Sequence, residues 1–479
     1  MARREVLHLS QAAETQDFYE AIMCARSGGI HDDTGFLEMA ELQAQVVRLT
    51  RDLERRDAKC GEPILIAICG NANDVVGILA VIGAGAVAVP IHHKSHADYT
   101  DHVRKITGAR FYLDASDPER AREPRIKQIS NRSPSYHSLL DGAAFVTFTS
   151  GSTGTPKGVV LARGRVSAKY HAIRTAIDLQ SAPVALVPLQ LLFSFGQWAT
   201  FLPLMSGGTI HMTGRYSPHW VGQKLETSEI NYLAAVPTML RMLAGSAISE
   251  QSFQVLTGGE AVGSRLRQTL FESWPHATIN SIYGLTETGT CDLFRRDQAP
   301  DNGGNSLGFP SPNVEVAIDP ENRELLIRSP YNMLGYLEMP ELSAETLCEG
   351  WIHTGDQAEI LPTGEVVLVG RIKELINRGG NKVSPLEVET TFQQHPNVSA
   401  ALATAVPDKR FGEAIHLLIV PTEATEITTS ELMDWATPRL ERFKLPDVIH
   451  FGKELPLGNT GKSDRSALGR LILEQGRAE

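Results

Sequence analysis

The segment Phe145–Val159, with the sequence FVTFTSGSTGTPKGV, constrains the fold of this chain more than any other feature. Its first four residues, Phe145–Phe148, are apolar or β-branched and predict a buried strand. Five Ser or Thr, three Gly and one Lys follow within ten residues. Glycines let backbone N–H groups approach an anion, hydroxyl groups donate to phosphate oxygens, and lysine adds positive charge. The segment therefore predicts a strand that leads into a phosphate-binding loop, with a plain surface loop as the alternative.

The chain does not match the common P-loop, which requires the pattern G-x-x-x-x-G-K-[ST]. If Gly151 is taken as the first glycine of this pattern, the second glycine falls at position 156, where the chain has proline. A second candidate, Gly461-Lys462-Ser463, follows a predicted strand at 448–451, but Pro456 replaces the first glycine. Both departures argue against a P-loop NTPase.

Hydrophobic periodicity predicts alternating helices and strands through most of the chain. Residues 38–57 have apolar side chains at helical spacing, and strands are predicted at Pro63–Cys69 and Ala86–Ile91 with a helix between them. Such alternation is typical of a parallel sheet covered by helices. From Val314 to Val369, short alternating runs between turns predict antiparallel strands instead.

The segment after Arg371 is smaller and of mixed type. It has a predicted helix at Pro385–His395, strands at Val398–Val406 and Ala414–Val420, and a helix that begins at a Thr429/Ser430 cap. We therefore predict an α/β protein: a large N-terminal α/β domain with parallel sheets and a β-rich subdomain, followed by a small α+β C-terminal domain. The length of 479 residues agrees with more than one unit, because single cores stop growing near roughly 250–300 residues.

Composition excludes several classes of partner. The formal charge is −11, from 45 basic and 56 acidic side chains, which is a poor match for nucleic acid or anionic lipid. The apolar stretches 75–91 and 179–210 are interrupted by proline or glycine, so no integral membrane segment is predicted. The five scattered cysteines indicate a reducing compartment, and with no visible signal peptide we expect a cytoplasmic location.

Four further motifs follow the phosphate-binding segment in a fixed order. They are Tyr283–Glu287 (YGLTE), Gly350–Asp356 (GWIHTGD), Gly370–Glu374 (GRIKE) and Gly458–Arg465 (GNTGKSDR). Together with TSGSTGTPKG, this series resembles the AMP-forming adenylating superfamily, which includes acyl- and aryl-CoA synthetases, adenylation domains of peptide synthetases, and luciferases. The resemblance covers nearly the whole chain. It implies ATP-dependent activation of a carboxylic acid as an acyl-adenylate.

The resemblance also implies roles for single residues. The implied catalytic residues are Lys462, Glu287 and Thr286. Lys462 would act on the reacting carboxylate and the α-phosphate, and Glu287 would bind Mg²⁺ through a hard oxygen. Asp356 and Arg371 would contact the ribose. The implied ATP- or AMP-binding residues are Thr149, Ser150, Gly151, Ser152, Thr153, Gly154, Lys157, Gly258, Gly259, Glu260, Tyr283, Gly284, Asp356 and Arg371.

By the same resemblance, the chain divides into an adenylate-forming domain, residues 1–372, and a mobile domain, residues 374–479, with a hinge at Lys373. Gly379 and Gly380 would lie beside the arm of an acceptor thiol. That thiol belongs either to coenzyme A or to the phosphopantetheine of an acyl carrier protein, and the sequence leaves the choice open.

The expected acyl pocket contains Phe193, Phe195, Gly196 and Val236. These residues favour a small aryl or aliphatic acid. Gly196 stands at the position where peptide-synthetase adenylation domains place an Asp for the α-amino group, so an α-amino acid is disfavoured. Two alternatives stay open: an enzyme that passes the adenylate to a carrier protein or an amine, and a nucleotide-binding protein without catalysis.

Overall fold

The structure is a computed structural model of the chain. It describes residues 16–114, 124–131, 137–150, 156–245, 247–260, 262–300, 305–422, 425, 427–458 and 463–475, and for Ser150 and Gln475 it describes the backbone alone. The five cysteines all lie in these ranges and all are free thiols. No helix in these ranges combines the length and the apolar character needed to cross a bilayer.

The helices alternate with strands through the first three quarters of the chain. Helix α2 confirms the amphipathic helix predicted over 38–57, with Leu42, Val46 and Leu53 on its buried face. The helices of the described residues are α1 (Phe18–Met23), α2 (Met39–Arg55), α3 (Ala72–Gly83), α4 (Ala97–Thr107), α5 (Arg163–Ala176), α6 (Ser194–Met205), α7 (Pro218–Thr227), α8 (Pro237–Leu243), α9 (Ser264–Ser273), α10 (Pro340–Thr346), α11 (Pro385–Gln393), α12 (Thr429–Ala436) and α13 (Arg465–Gln475).

The strands of the described residues form three sheets. In chain order the strands are β1 (Gly29–Asp32), β2 (Gly35–Glu38), β3 (Pro63–Ile68), β4 (Val87–His92), β5 (Phe111–Asp114), β6 (Arg125–Gln128), β7 (Ala143–Ser150), β8 (Pro156–Ala162), β9 (Val184–Val187), β10 (Thr209–Met212), β11 (Tyr232–Ala234), β12 (Gln254–Gly258), β13 (Thr278–Tyr283), β14 (Leu293–Asp297), β15 (Ser306–Pro310), β16 (Glu315–Ile318), β17 (Glu324–Arg328), β18 (Gly335–Tyr336), β19 (Leu347–Cys348), β20 (Trp351–Ile360), β21 (Val366–Arg371), β22 (Ile376–Arg378), β23 (Asn381–Val383), β24 (Val398–Asp408), β25 (Gly412–Pro421) and β26 (Val448–Phe451).

The largest sheet is parallel at its centre and antiparallel beyond β13 on one side and at the edge pair β1–β2 on the other. Its order is β16-β17-β20-β21-β15-β14-β13-β12-β11-β9-β10-β1-β2, with β19 beside β20. Strands β9 to β13 pair in parallel, whereas β13–β14 and every pair beyond it in this part of the order are antiparallel. The antiparallel strands predicted over 314–369 are confirmed. Tyr283 ends β13 and therefore lies at the carboxyl end of the last parallel strand, next to the change in pairing.

The second sheet has the order β18-β8-β7-β4-β3-β5-β6, and β3, β4, β5 and β7 pair in parallel at its centre. Every residue of β3 is buried, because its two faces belong to two different apolar clusters: Ile64 lies in one and Leu65 in the other. A continuous apolar run of this kind is what a parallel strand covered on both faces requires. The strands predicted near 63–69 and 86–91 are confirmed as β3 and β4.

The third sheet belongs to the C-terminal unit, which we define as residues 376–475. Its order is β23-β22-β25-β24, with β26 parallel to β25. Helices α11 and α12 cover one face through Val388, Phe392 and Leu432, and α13 packs on β24. The helix predicted at the Thr429/Ser430 cap begins at Thr429, because Thr428 caps it: Thr428 accepts from the Glu431 N–H and the Glu431 carboxylate accepts from the Thr428 N–H.

Candidate active site

The predicted phosphate-binding segment joins two paired strands. β7 ends at Ser150, β8 begins at Pro156, and their antiparallel register sets Thr149 opposite Lys157. The strand predicted over 145–148 is confirmed as the centre of β7. Thr149 and Lys157 therefore lie side by side at the two strand ends that flank the segment. Four of the predicted phosphate-binding residues of this segment lie outside the described residues: Gly151, Ser152, Thr153 and Gly154.

Lys157 is linked to Glu287 through an aromatic side chain that the sequence analysis missed. The Lys157 Nζ lies 5.3 Å from the centre of the Tyr336 ring, and the Tyr336 hydroxyl donates a 2.7 Å hydrogen bond to Glu287 Oε1. Burial raises the pKa of Tyr336 above its ordinary value, and the neighbouring carboxylate raises it further. The hydroxyl therefore keeps its proton and orients the carboxylate. No motif signals Tyr336, because its partner is 49 residues away in the chain.

Glu287 lies in a short 3₁₀ helix, Thr286–Thr288, directly after β13. Its backbone carbonyl accepts a 2.7 Å hydrogen bond from the N–H of Met333, which fixes the turn against the following segment. In the described part of the chain, Glu287 Oε2 has no hydrogen-bond partner and no cationic side chain pairs with this carboxylate. An oriented carboxylate with one uncommitted oxygen is a donor that fits Mg²⁺.

A buried ion pair supports this turn from behind. Lys169 on α5 and Asp292 form a 2.8 Å contact, and their side chains are 2% and 0% exposed. The hydroxyl of Thr288 donates to the other oxygen of Asp292. The indole of Trp198 donates a 2.8 Å hydrogen bond to Thr290, which has a φ of 66°. A left-handed residue of this type costs roughly 1–3 kcal/mol and persists only where its surroundings enforce it.

Asp356 is held in place from two sides. The Tyr283 hydroxyl donates to one carboxylate oxygen at 2.7 Å, and Arg371 Nε donates to the other at 2.9 Å. The residue is only 2% exposed, and burial raises the pKa of its carboxyl, an effect that Arg371 and Tyr283 oppose. Gly284 follows Tyr283, and packing requires glycine at this position because a Cβ there would lie 2.6 Å from the backbone N of Cys291. The two residues predicted at the ribose, Asp356 and Arg371, thus form one cluster with Tyr283.

The predicted nucleotide-binding residues Gly258, Gly259 and Glu260, which by the resemblance form the adenine segment, lie at the end of β12. A Cβ at Gly258 would lie 2.4 Å from the carbonyl oxygen of Ile282, and Gly259 has a φ of 90°, so both positions favour glycine. The carboxylate of Glu260 is engaged by protein groups: Arg241 Nη2 donates to Oε2 at 2.9 Å, and the backbone N of Ser463 donates to Oε1 at 2.6 Å. This side chain joins two parts of the chain.

The predicted acyl-pocket residues lie at the start of α6 and α8. Phe193 precedes α6, Phe195 contacts Trp198 with 5.0 Å between ring centres, and Val236 caps α8. Gly196 has a structural explanation: a Cβ there would lie 2.0 Å from the carbonyl oxygen of Gln190. Packing therefore requires glycine at position 196, and the inference against amino-acid substrates, which rests on the absence of a carboxylate there, stays a prediction.

Lys462 lies outside the described residues, but the residues that flank it are placed. Leu457 and Ser463 form an antiparallel bridge, and the N–H of Asp464 donates to the carbonyl of Pro456 at 2.8 Å. The contact between Ser463 and Glu260 sets this part of the C-terminal unit against the adenine segment. The placement of Lys462 itself stays a prediction, which rests on its position next to Ser463 in the sequence.

The predicted hinge and thiol residues lie where the chain enters the C-terminal unit. Lys373 is in a 3₁₀ helix, Ile372–Glu374, between β21 of the large sheet and β22 of the C-terminal unit. Gly379 and Gly380 form the turn between β22 and β23 with φ values of 58° and 88°. The N–H of Gly379 donates to the carbonyl of Phe411 at 2.7 Å. Their roles in hinge motion and thiol binding stay predictions.

The strand ends that flank the phosphate-binding motif and the two oriented carboxylates of Glu287 and Asp356 fit the class of adenylate-forming enzymes. Comparison with known proteins agrees with this class. The profile of the family described as AMP-binding enzyme matches residues 10–337, and that of the AMP-binding enzyme C-terminal domain matches residues 387–462. The chain belongs to the AMP-binding enzyme family.

Three similar proteins illustrate the family. Feruloyl-CoA synthase from Amycolatopsis sp is 29% identical over 457 residues, which cover 89% of this chain and 92% of the relative. The fatty acid–[acyl-carrier-protein] ligase ScoC from Streptomyces coeruleorubidus is 29% identical over 428 residues, covering 80% and 82%. The crystal structure of ATP-bound MatB from Rhodopseudomonas palustris has a TM-score of 0.83 at 20% identity, covering 95% of this chain and 98% of that one. The last comparison concerns the fold alone.

Proposed function

We propose that this enzyme uses ATP and Mg²⁺ to convert a small carboxylic acid into an acyl-adenylate and then transfers the acyl group to the thiol of coenzyme A. The observation that carries the proposal concerns one turn, residues 283–292. This turn carries one of the two carboxylates that the reaction requires and contacts the other. Tyr283 holds Asp356, and Glu287 is oriented by Tyr336. Similarity to a feruloyl-CoA synthase over 92% of that relative supports coenzyme A as the acceptor.

In the first half-reaction, an oxygen of the acid attacks the α-phosphorus of ATP, the bond to the β-phosphate oxygen breaks, and pyrophosphate leaves. Lys157 and the phosphate segment bind the phosphates, and Asp356 accepts from the ribose hydroxyls through lone pairs that Tyr283 and Arg371 leave free. Glu287 would hold Mg²⁺, which neutralises phosphate charge when bound. Lys462 stabilises the charge shared between the acid and the α-phosphate.

In the second half-reaction, the thiolate sulfur attacks the acyl carbonyl carbon, and the bond to the AMP oxygen breaks. Residues 374–479 rotate about Lys373 in this scheme, so that Lys462 leaves and the backbone at Gly379 and Gly380 borders the thiol arm. Residues 1–372 keep the adenylate bound. The left-handed turn at Gly379 and Gly380 supports the scheme, because side chains at such a turn would restrict a close approach.

For the substrate, we propose an uncharged aryl or aliphatic acyl group. The support is the aromatic contact of Phe195 with Trp198 and the buried Val236 near the predicted pocket. Aryl acids of the hydroxycinnamate type come first, because a feruloyl-CoA synthase is among the relatives. α-Amino acids are included in the panel as a test of the inference that the absence of a carboxylate at Gly196 disfavours them.

A carrier-protein pantetheine is the second candidate acceptor, supported by the similarity to an acyl-carrier-protein ligase. Transfer of the adenylate to a carrier protein or an amine belongs to the same scheme. We expect the reaction to take place in the cytoplasm, in agreement with the free thiols of all five cysteines.

The test is ATP–pyrophosphate exchange with a panel of aryl, aliphatic and amino acids, followed by thioester formation with coenzyme A or a pantetheinylated carrier protein. We expect exchange with at least one aryl or aliphatic acid and thioester formation with coenzyme A. Exchange without a thioester would move the acceptor to a carrier protein or an amine. The absence of exchange with every acid would contradict the proposal.

A further inference from the structure

Glu260 is fixed rigidly to the large domain. Arg241 Nη2 donates to its Oε2 at 2.9 Å, and the hydroxyl of Thr238 donates to the same oxygen at 3.3 Å. Both donors lie on α8, which packs in an apolar cluster through Leu240 and Leu243. The side chains of Arg241 and Glu260 are 22% and 13% exposed, so this ion pair is shielded from water. The direction of the carboxylate is therefore set by the large domain.

Ser463 is fixed equally rigidly to the C-terminal unit. It pairs with Leu457, and two residues later Arg465 begins α13 and forms a buried ion pair with Glu389 on α11. Arg465 also contacts Glu374 at 3.1 Å. The hydrogen bond from the Ser463 N–H to Glu260 Oε1 thus joins the C-terminal unit to the large domain, with the Ser463 hydroxyl at 3.3 Å from the same oxygen.

The other described contacts in this region are polar and small. Thr390 on α11 donates a 2.9 Å hydrogen bond to the side chain of Asn305. A Cβ at Gly263, at the start of α9, would lie 2.9 Å from Gln393 Oε1, so these surfaces touch. Interfaces of this polar type permit domains to separate and rejoin. Among these contacts, the Ser463 bond is the one that adjoins Lys462 in sequence and ends on a charge.

We propose that Glu260 is a positioning residue that holds Ser463, and through it Lys462, at the active site during adenylate formation, and that this bond breaks before thiol transfer. The inference rests on the proposed function and adds to it a role for Glu260 apart from nucleotide binding. Arg241 is part of the device, because it orients the carboxylate. Loss of the bond should slow the first half-reaction and leave the second one intact.

The experiment compares two variants with a matched control in the full-length enzyme. Glu260→Gln keeps the shape but removes the charge and turns an N–H donor toward Arg241 or Ser463. Arg241→Met removes the group that orients Glu260. Arg265→Met is the control, because this exposed arginine contacts Gln268 on its own helix, α9. Pyrophosphate exchange and transfer from supplied acyl-adenylate to coenzyme A are measured separately.

We expect exchange to fall by roughly tenfold to a hundredfold in Glu260→Gln, as for a hydrogen bond to a charged group, and to fall less in Arg241→Met. Transfer from the supplied adenylate should stay at the wild-type rate, and Arg265→Met should match wild type in both steps. A parallel fall of both half-reactions, or no fall in either, would overturn the proposal.

A second measurement does not depend on knowing the acid. Hydrogen–deuterium exchange of peptides that span Ser463 should speed up in Glu260→Gln, because the N–H of Ser463 loses its acceptor. Unchanged protection of these peptides would overturn the contact itself. If wild type exchanges pyrophosphate with no acid, the proposed function fails, and the deuterium result still decides whether Glu260 holds Ser463.

Discussion

The turn at 283–292 and the contact between Glu260 and Ser463 support the same site in opposite ways. The turn is held by a buried ion pair, by the hydrogen bond of Trp198 to Thr290, and by a left-handed residue that its surroundings enforce. The contact at Ser463 consists of hydrogen bonds between two units that otherwise meet through small polar contacts. The turn at 283–292 is therefore preorganised, whereas the C-terminal side of the site is held by hydrogen bonds that can break.

This difference suits a reaction in two steps. The groups that bind ATP must keep their geometry through both steps, since the adenylate stays bound while its partner changes. The residue that assists the first step must be able to leave, so its support has to be reversible. Changes to the turn should therefore damage stability and both half-reactions, whereas changes on the C-terminal side should separate the two half-reactions.

The largest effect is expected for Lys169→Met, which leaves Asp292 buried without its cation. Breaking a buried pair in this way costs about 3–5 kcal/mol, measured as the free energy of unfolding by chemical denaturation. The control is Arg323→Met, which removes an exposed pair with Glu359 and should cost less than about 1 kcal/mol. Similar values for both variants would show that the turn is not held by its buried pair.

Lys462→Ala tests the other half of the site. Adenylate formation should fall by a factor on the order of 10²–10³, as for the loss of one preorganised charged group, with unfolding unchanged. Transfer from supplied acyl-adenylate to the thiol should survive, because the proposed rotation removes the lysine before that step. A comparable loss in both half-reactions would contradict the assigned role.

Gly196→Ala should destabilise the protein by about 1–3 kcal/mol, because its Cβ would meet the carbonyl oxygen of Gln190 at 2.0 Å. Gly196→Asp and Gly196→Asn carry the same Cβ, so both should be destabilised at every pH. The control is Gly164→Ala in the first turn of α5, where a Cβ would meet nothing within 4 Å. If Gly196→Asp were the only destabilised variant, the charge at position 196, and not the Cβ, would be the cause.

Tyr336→Phe has the smallest expected effect and refines the account of the turn. It removes the hydroxyl that orients Glu287 and keeps the ring below Lys157. We expect pyrophosphate exchange to fall about tenfold, with a higher Mg²⁺ concentration for half-maximal rate. Tyr331→Phe, whose hydroxyl accepts from Asn313, is the matched control and should change neither quantity. An unchanged Mg²⁺ dependence in Tyr336→Phe would argue against this role.

Local patterns predicted local structure well. The apolar run of β3 and the amphipathic α2 were predicted near their observed bounds, because burial on two faces or on one face leaves a direct periodic signal. The pair of Lys169 with Asp292 spans 123 residues, and no spacing rule reaches that far. Gly196 shows a different limit. The sequence shows only that a side chain is absent there, whereas the structure gives the steric reason, the nearby carbonyl oxygen of Gln190.

Trp198 connects the helix of the predicted acyl pocket with the turn that carries Glu287. Its ring contacts Phe195 on one side, and its indole N–H is committed to Thr290 on the other. We therefore expect substitutions at position 195 to change the acid accepted with less damage to the turn than substitutions at position 198. Libraries that alter the acid accepted should vary Phe195 and leave the indole in place.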